Sequence, residues 1–113
     1  ILAETGRKAL IVAGVDFAHV GRKFGHAETG ASLLGPAREN DEELLAALER
    51  TEGLAIFENA RRTRDRFNTC GLPALILLSR LLRGCRGTRL AHETYYEKAT
   101  ESAVTYASMI FHP

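Results

Sequence analysis

Three observations predict an α/β domain, a mixed sheet flanked by helices. Residues Ala9 to Val15 form a short, uniformly apolar run, the pattern of a parallel strand covered on both faces. From Asn40 to Arg83 apolar residues recur at helical spacing, and beyond Thr88 the pattern changes to the alternation of strands. The whole chain reads as one domain, with no internal repeat and no low-complexity linker.

The elements follow in order. After the Ala9–Val15 strand, Gly21 to Pro36 is a long, glycine-rich connection with little periodicity, the kind of loop that borders a site. Asn40 offers an N-cap with Glu43 three residues later, at capping-box spacing, and Leu44, Leu45 and Leu48 mark the buried stripe of the helix that follows. Gly53 breaks that helix. Leu54, Phe57 and Ala60 or Arg61 continue a second one, with its basic residues outward. Pro73 to Arg83 is apolar almost all round and reads as a central buried helix ended by Gly84 and Gly87. Thr88 to Lys98 and Ala103 to Phe111 then read as two strands joined through Glu97 to Glu101, an antiparallel hairpin at a sheet edge. In the second strand Val104, Tyr106 and Ile110 alternate against Ala107, Met109 and Phe111.

Composition excludes several classes of function. A 113-residue chain with 45% apolar and 26% charged residues is an ordinary globular piece. Its net charge of +1, from 15 basic and 14 acidic residues, supplies no general field for nucleic acid or membrane. Arg61, Arg62, Arg64 and Arg66 form a local basic run, but Glu58 and Asp65 break into it and no aromatic stacking platform accompanies it, so a solvated helix face is the better reading. No apolar run approaches the roughly 18 residues of a membrane span, and no signal peptide opens the sequence. A cytoplasmic location is expected.

The stretch V-D-F-A-H-V-G-R-K-F-G, Val15 to Gly25, places Asp16 and His19 where the first apolar run ends. In open α/β sheets ligands collect beyond the carboxyl ends of the strands, which makes these two residues candidates for an active-site edge. The alternative is an Asx-turn at Asp16 beside a surface histidine. Of the two cysteines, Cys85 sits in a charged turn and reads as an uninvolved thiol. Cys70 immediately precedes Gly71-Leu72-Pro73, a helix start, where the dipole favours the thiolate, the form that binds metal or attacks as a nucleophile. A buried, inert Cys70 is the competing reading. Among the other histidines, His26 in the glycine-rich loop is expected to face solvent, with a place in the pocket lining as the alternative, His92 to make a cross-strand hydrogen bond, and the penultimate His112 to be unordered.

The block D-F-A-H-V-G-R-K-F-G, followed by F-N-T-C-G-L-P-A-L-I-L-L at Phe67–Leu78 and S-A-V-T-Y-A-S at Ser102–Ser108, resembles the MEMO-like family (AmmeMemoRadiSam system protein B) along nearly the whole chain. The first two blocks are specific in combination. Arg22 departs from the proline or glutamine of many relatives, in a loop that governs entry to the site. The resemblance implies a fold similar to class III extradiol ring-cleaving dioxygenases, and it covers the carboxyl-terminal part of a single domain. Two histidine metal ligands would then lie in an amino-terminal half outside residues 1–113, and Ile1-Leu2-Ala3-Glu4 reads as the cut end of a helix, so the missing half or a partner chain is expected to complete the site.

The resemblance further implies that Cys70 is the family's third metal ligand. His19 matches the acid–base histidine of the ring-cleaving enzymes, and Asp16 would orient its imidazole. Sulfur in place of a carboxylate makes copper or zinc as suitable as a non-haem iron. Two functions follow: a metal-dependent, oxidoreductase-like enzyme acting on a small molecule, or a non-catalytic module that uses the same pocket to bind a peptide or protein.

Overall fold

The computed structural model describes residues 4–113. Three strands and three helices build it: β1 (His19–Gly21), α1 (Gly30–Glu49), α2 (Gly53–Thr63), α3 (Leu72–Leu81), β2 (Arg86–Glu97) and β3 (Ser102–His112). The sheet has the order β1-β3-β2, and both pairings are antiparallel. Helix α1 lies across all three strands and also meets α2, which in turn packs on α3. The α/β class holds.

The hairpin is as expected, with Arg86 opposite His112 at one end and Glu97 opposite Ser102 at the other. His112 is therefore the last paired residue of β3, held by the ladder. One irregularity matters. Arg89 faces Met109 but Ala91 faces Ser108, so Leu90 is an extra residue, a β-bulge. Because side chains alternate along a strand, the extra residue shifts the phase: Gly87 and Arg89 turn inward before it, His92 and Thr94 after it.

Helix α1 starts ten residues before the expected cap (Gly30 against Asn40) and absorbs Pro36. Its N-cap is Thr29, whose Oγ1 accepts from the Ser32 amide at 3.3 Å. Gly30 is needed there, since a Cβ would come within 2.8 Å of the Ala103 nitrogen. An internal proline costs a helix about 3 kcal/mol. That is offset by burial of Leu33, Ala37, Leu44, Leu45 and Leu48 along the same 20-residue helix, a tertiary gain that local sequence does not display. Asn40 is consequently no cap: it is buried in mid-helix, its Oδ1 accepting from Asn59 Nδ2 at 2.9 Å.

Other expectations change as well. In α2 the inward residues are Ile56 and Asn59, while Leu54 and Phe57 are exposed. Helix α3 is not buried all round, for Leu75, Leu78 and Ser79 face the core and Leu77 and Leu81 face out. Residues 9–15 form no strand. Leu10 is 90% and Val12 78% exposed, although the segment borders a cavity of about 570 Å³ lined by Phe17, Leu75, Leu78, Met109 and Phe111. Apolar character alone makes no strand, and among the described residues nothing pairs with this one. Extended pairing begins two residues later, at Phe17.

Two adjoining clusters form the core. Phe17, Leu44, Leu45, Leu48, Ile56 and Leu75 make one, and Ala18, Val20, Leu33, Ala37, Phe67 and Ala103 the other. Phe17, Ala18 and Val20 belong to the D-F-A-H-V block, so the segment that presents Asp16 and His19 is anchored on both.

Candidate functional site

The segment from Phe17 to His19 is held on two sides. On one side the Phe17 amide donates to Thr105 O at 2.9 Å and the Thr105 amide donates to Ala18 O at 3.0 Å. On the other, the His19 amide donates to Phe67 O at 2.8 Å and the Cys70 amide donates to Phe17 O at 2.9 Å. The F-N-T-C stretch thus runs alongside D-F-A-H, which is how residues far apart in sequence reach one edge.

At that edge His19 Nε2 lies 3.7 Å from Asp16 Oδ2, an ion-pair distance longer than a direct hydrogen bond. Its Nδ1 is 3.1 Å from the Phe17 carbonyl, an acceptor only, which assigns a proton to Nδ1 and turns Nε2 outward. The ring also meets Phe24 edge-on at 5.0 Å between centroids. Asp16 and His19 are therefore brought together, and His19 is fixed as a group able to accept or give a proton at Nε2.

Cys70 reaches the same edge through its backbone. It lies just before Gly71, the αL cap of α3, and Pro73 is the second residue of that helix. Its thiol is free and exposed, so it is not a packed core residue, and it hydrogen-bonds to neither Asp16 nor His19. Gly71 has a reason of its own: with φ +71°, a Cβ there would fall 2.6 Å from Val15 Cβ. The C-G pair therefore lets the helix start close against the chain just before Asp16.

The donor set is short of a metal centre. Among the described residues, no three His, Cys, Asp or Glu side chains group so as to hold a metal. A soft thiolate with an imidazole behind it suits a transition metal by type but falls below the three protein ligands of catalytic zinc sites.

Residues outside the expected set also shape the edge. Asn68, at φ +49°, donates from Nδ2 to His19 O at 3.1 Å and Phe24 O at 3.2 Å, tying the two stretches together. Asp65 Oδ1 accepts from the Thr69 amide at 2.8 Å. His26 is half-buried and tied down at both ring nitrogens: its Nδ1 accepts from the Gly21 amide at 3.3 Å and its Nε2 donates to Arg66 O at 2.8 Å, so it stitches β1 to the stretch before Phe67. His92 leaves the sheet altogether as a polar partner, meeting Asp41 and Glu42 of α1 rather than a cross-strand neighbour.

The model of the Memo-like protein family matches residues 1–110, which takes in both specific blocks and the hairpin. The chain belongs to the Memo-like family. A MEMO1 family protein of Aquifex aeolicus (strain VF5) is 34% identical to this Memo-like chain, over 96% of the chain and 29% of the relative. The chain thus spans under a third of that curated relative's length. No solved structure matches it. No helix among the described residues of this Memo-like chain is long and apolar enough to cross a membrane.

Proposed function

We propose that this Memo-like chain supplies one edge of a metal-dependent, oxidoreductase-like site in a fold of the extradiol dioxygenase type, completed by further polypeptide or by a partner chain. The carrying observation is the double lacing of Phe17–His19, which sets the Asp16–His19 pair 3.7 Å apart beside the exposed Cys70. In this reading Cys70 is the chain's metal donor, to iron, copper or zinc. The metal supplies Lewis acidity or redox chemistry when bound. His19 holds or moves a proton at Nε2 for a small-molecule substrate, and Asp16 steadies the ring. Free thiols at both cysteines fit a cytoplasmic setting, and the even charge balance gives no reason for nucleic-acid or membrane partners.

The test is metal content. The 113-residue chain alone should retain no chelator-resistant iron, copper or zinc, whereas the longer family protein carrying these residues should, and Cys70→Ser in it should abolish retention. A longer protein that holds no metal, yet binds peptide in a way lost on His19→Ala, would favour the non-catalytic binding module instead.

A further inference from the structure

Beneath the Phe17–His19 segment lies a cluster of titratable groups that the proposed chemistry does not use. Asp41 is fully buried, the His92 side chain is 5% exposed, and the Phe17 ring centroid lies 6.4 Å from that of His92. His92 Nε2 is 3.0 Å from Asp41 Oδ2, and Nδ1 is 3.1 Å from Glu42 Oε1. A carboxylate has no hydrogen to give and a neutral imidazole has one, so two contacts of this length need two hydrogens. Either the ring is an imidazolium, or Asp41 is a carboxylic acid that donates to Nε2 while Nδ1–H donates to Glu42. Both arrangements contain the same extra proton.

The surroundings say why it stays. Glu42 is committed to Arg89, whose Nη1 donates to Oε2 at 2.7 Å and whose Nε donates to Glu49 Oε1 at 3.3 Å. That hydrogen bond holds the Glu42 carboxyl below its ordinary range. Asp41 has no such cation in contact. Arg38 spends its guanidinium on Thr94 Oγ1 at 2.7 Å and the His92 carbonyl at 3.5 Å. Asp41 Oδ1 is buried without a hydrogen-bond partner, and burial holds the carboxyl above its ordinary range. Thr105 sits beside this carboxyl and draws it the other way, toward the ionised form, while its hydroxyl accepts from the Ala18 amide at 2.8 Å in the backbone that carries His19.

We propose that Asp41 and His92 retain one shared proton in the folded protein and act as a positioning cluster that sets the Phe17–His19 segment through Thr105 and Phe17. Loss of the proton leaves a net negative charge buried between α1 and β2, which must be expelled by loosening that contact. The segment above responds, whatever chemistry the edge performs.

The experiment is a pH titration of the isotope-labelled chain by NMR, from about pH 5 to about pH 9. The His92 Nδ1 hydrogen should be protected from exchange, and the amides of Phe17, Ala18 and His19 should shift together with the His92 ring as the shared proton is lost. Asp41→Asn, a neutral isostere that still donates toward Nε2, should keep the fold and abolish the coupled shift. Thr105→Val should leave the His92 response in place and detach Ala18 from it. A His92 ring in the wild type that exchanges freely and titrates with no response at residues 17–19 would overturn the proposal, whether or not the variants fold. So would an Asp41→Asn protein with the wild-type response.

Discussion

The Phe17 carbonyl receives the Cys70 amide at 2.9 Å and lies 3.1 Å from His19 Nδ1, so one backbone oxygen sets the position of the helix start and the orientation of the imidazole. The two specific sequence blocks meet at that atom.

Asn68 reinforces the meeting point with its two side-chain hydrogen bonds. Asn68→Ala removes both and also places a Cβ-only residue in the left-handed region that asparagine tolerates better. A loss of about 1–3 kcal/mol is expected in urea unfolding. Asn68→Gly should lose less, because glycine keeps the backbone conformation while forfeiting the bonds.

Gly71 and Val15 should behave as a coupled pair. Gly71→Ala is expected to destabilise by about 1–3 kcal/mol, from the positive φ together with the collision against Val15. Val15→Ala in the same chain should recover the steric part and leave the conformational part. A strictly additive double-mutant cycle would show that Val15 does not limit the site.

The two thiols differ in access: Cys70 is exposed and Cys85 half-buried. Limiting iodoacetamide followed by peptide mass spectrometry should therefore label Cys70 several-fold faster in the native protein, with rates converging in denaturant. If Cys70 labels only after unfolding, the exposed edge described above is wrong. Suppression of the native rate by Zn(II) or Cu(I) would agree with a ligand role.

Stability should carry two opposed pH limbs. Burial raises the Asp41 carboxyl above 3.8, so its contribution is fully present below that value and lost as pH rises through the folded value. The Arg89 hydrogen bond lowers Glu42 from 4.5, so its contribution is present above that value and lost as pH falls through the folded one. Asp41→Asn should remove the first limb and Glu42→Gln the second, the latter effect being small because that carboxylate is half exposed. Unfolding midpoints measured across pH in the three proteins check both signs.

What the sequence reveals is what local periodicity encodes. The hairpin is legible because Tyr106 to Phe111 alternate, and the pairing of Asp16 with His19 is legible because i, i+3 positions at an element's end sit close. Helix α1 is misread at its start because Gly35-Pro36 looks like a break, while the burial that overrides it comes from strands far along the chain. Residues 9–15 show the converse: an apolar run without a pairing partner stays extended and exposed. Asn68 and Asp65 carry no advance signal, since their roles depend on left-handed backbone positions that other polar residues in turns share. His92 is invisible for a different reason, because its inward aim depends on one unpaired residue before it.

That residue, Leu90, gives the hairpin a parity. Deleting it would make β2 a regular strand, with Arg89 and Ala91 adjacent and still opposite Met109 and Ser108, so that Gly87, Arg89, His92 and Thr94 would all keep the side facing α1. Loss of that one residue is thus open to this hairpin, because it removes the irregularity and leaves every later side chain on its face. Memo-like chains that keep an acidic pair at positions corresponding to Asp41 and Glu42 should accordingly place the histidine either three residues after the counterpart of Arg89, with the bulge, or two residues after it, without the bulge.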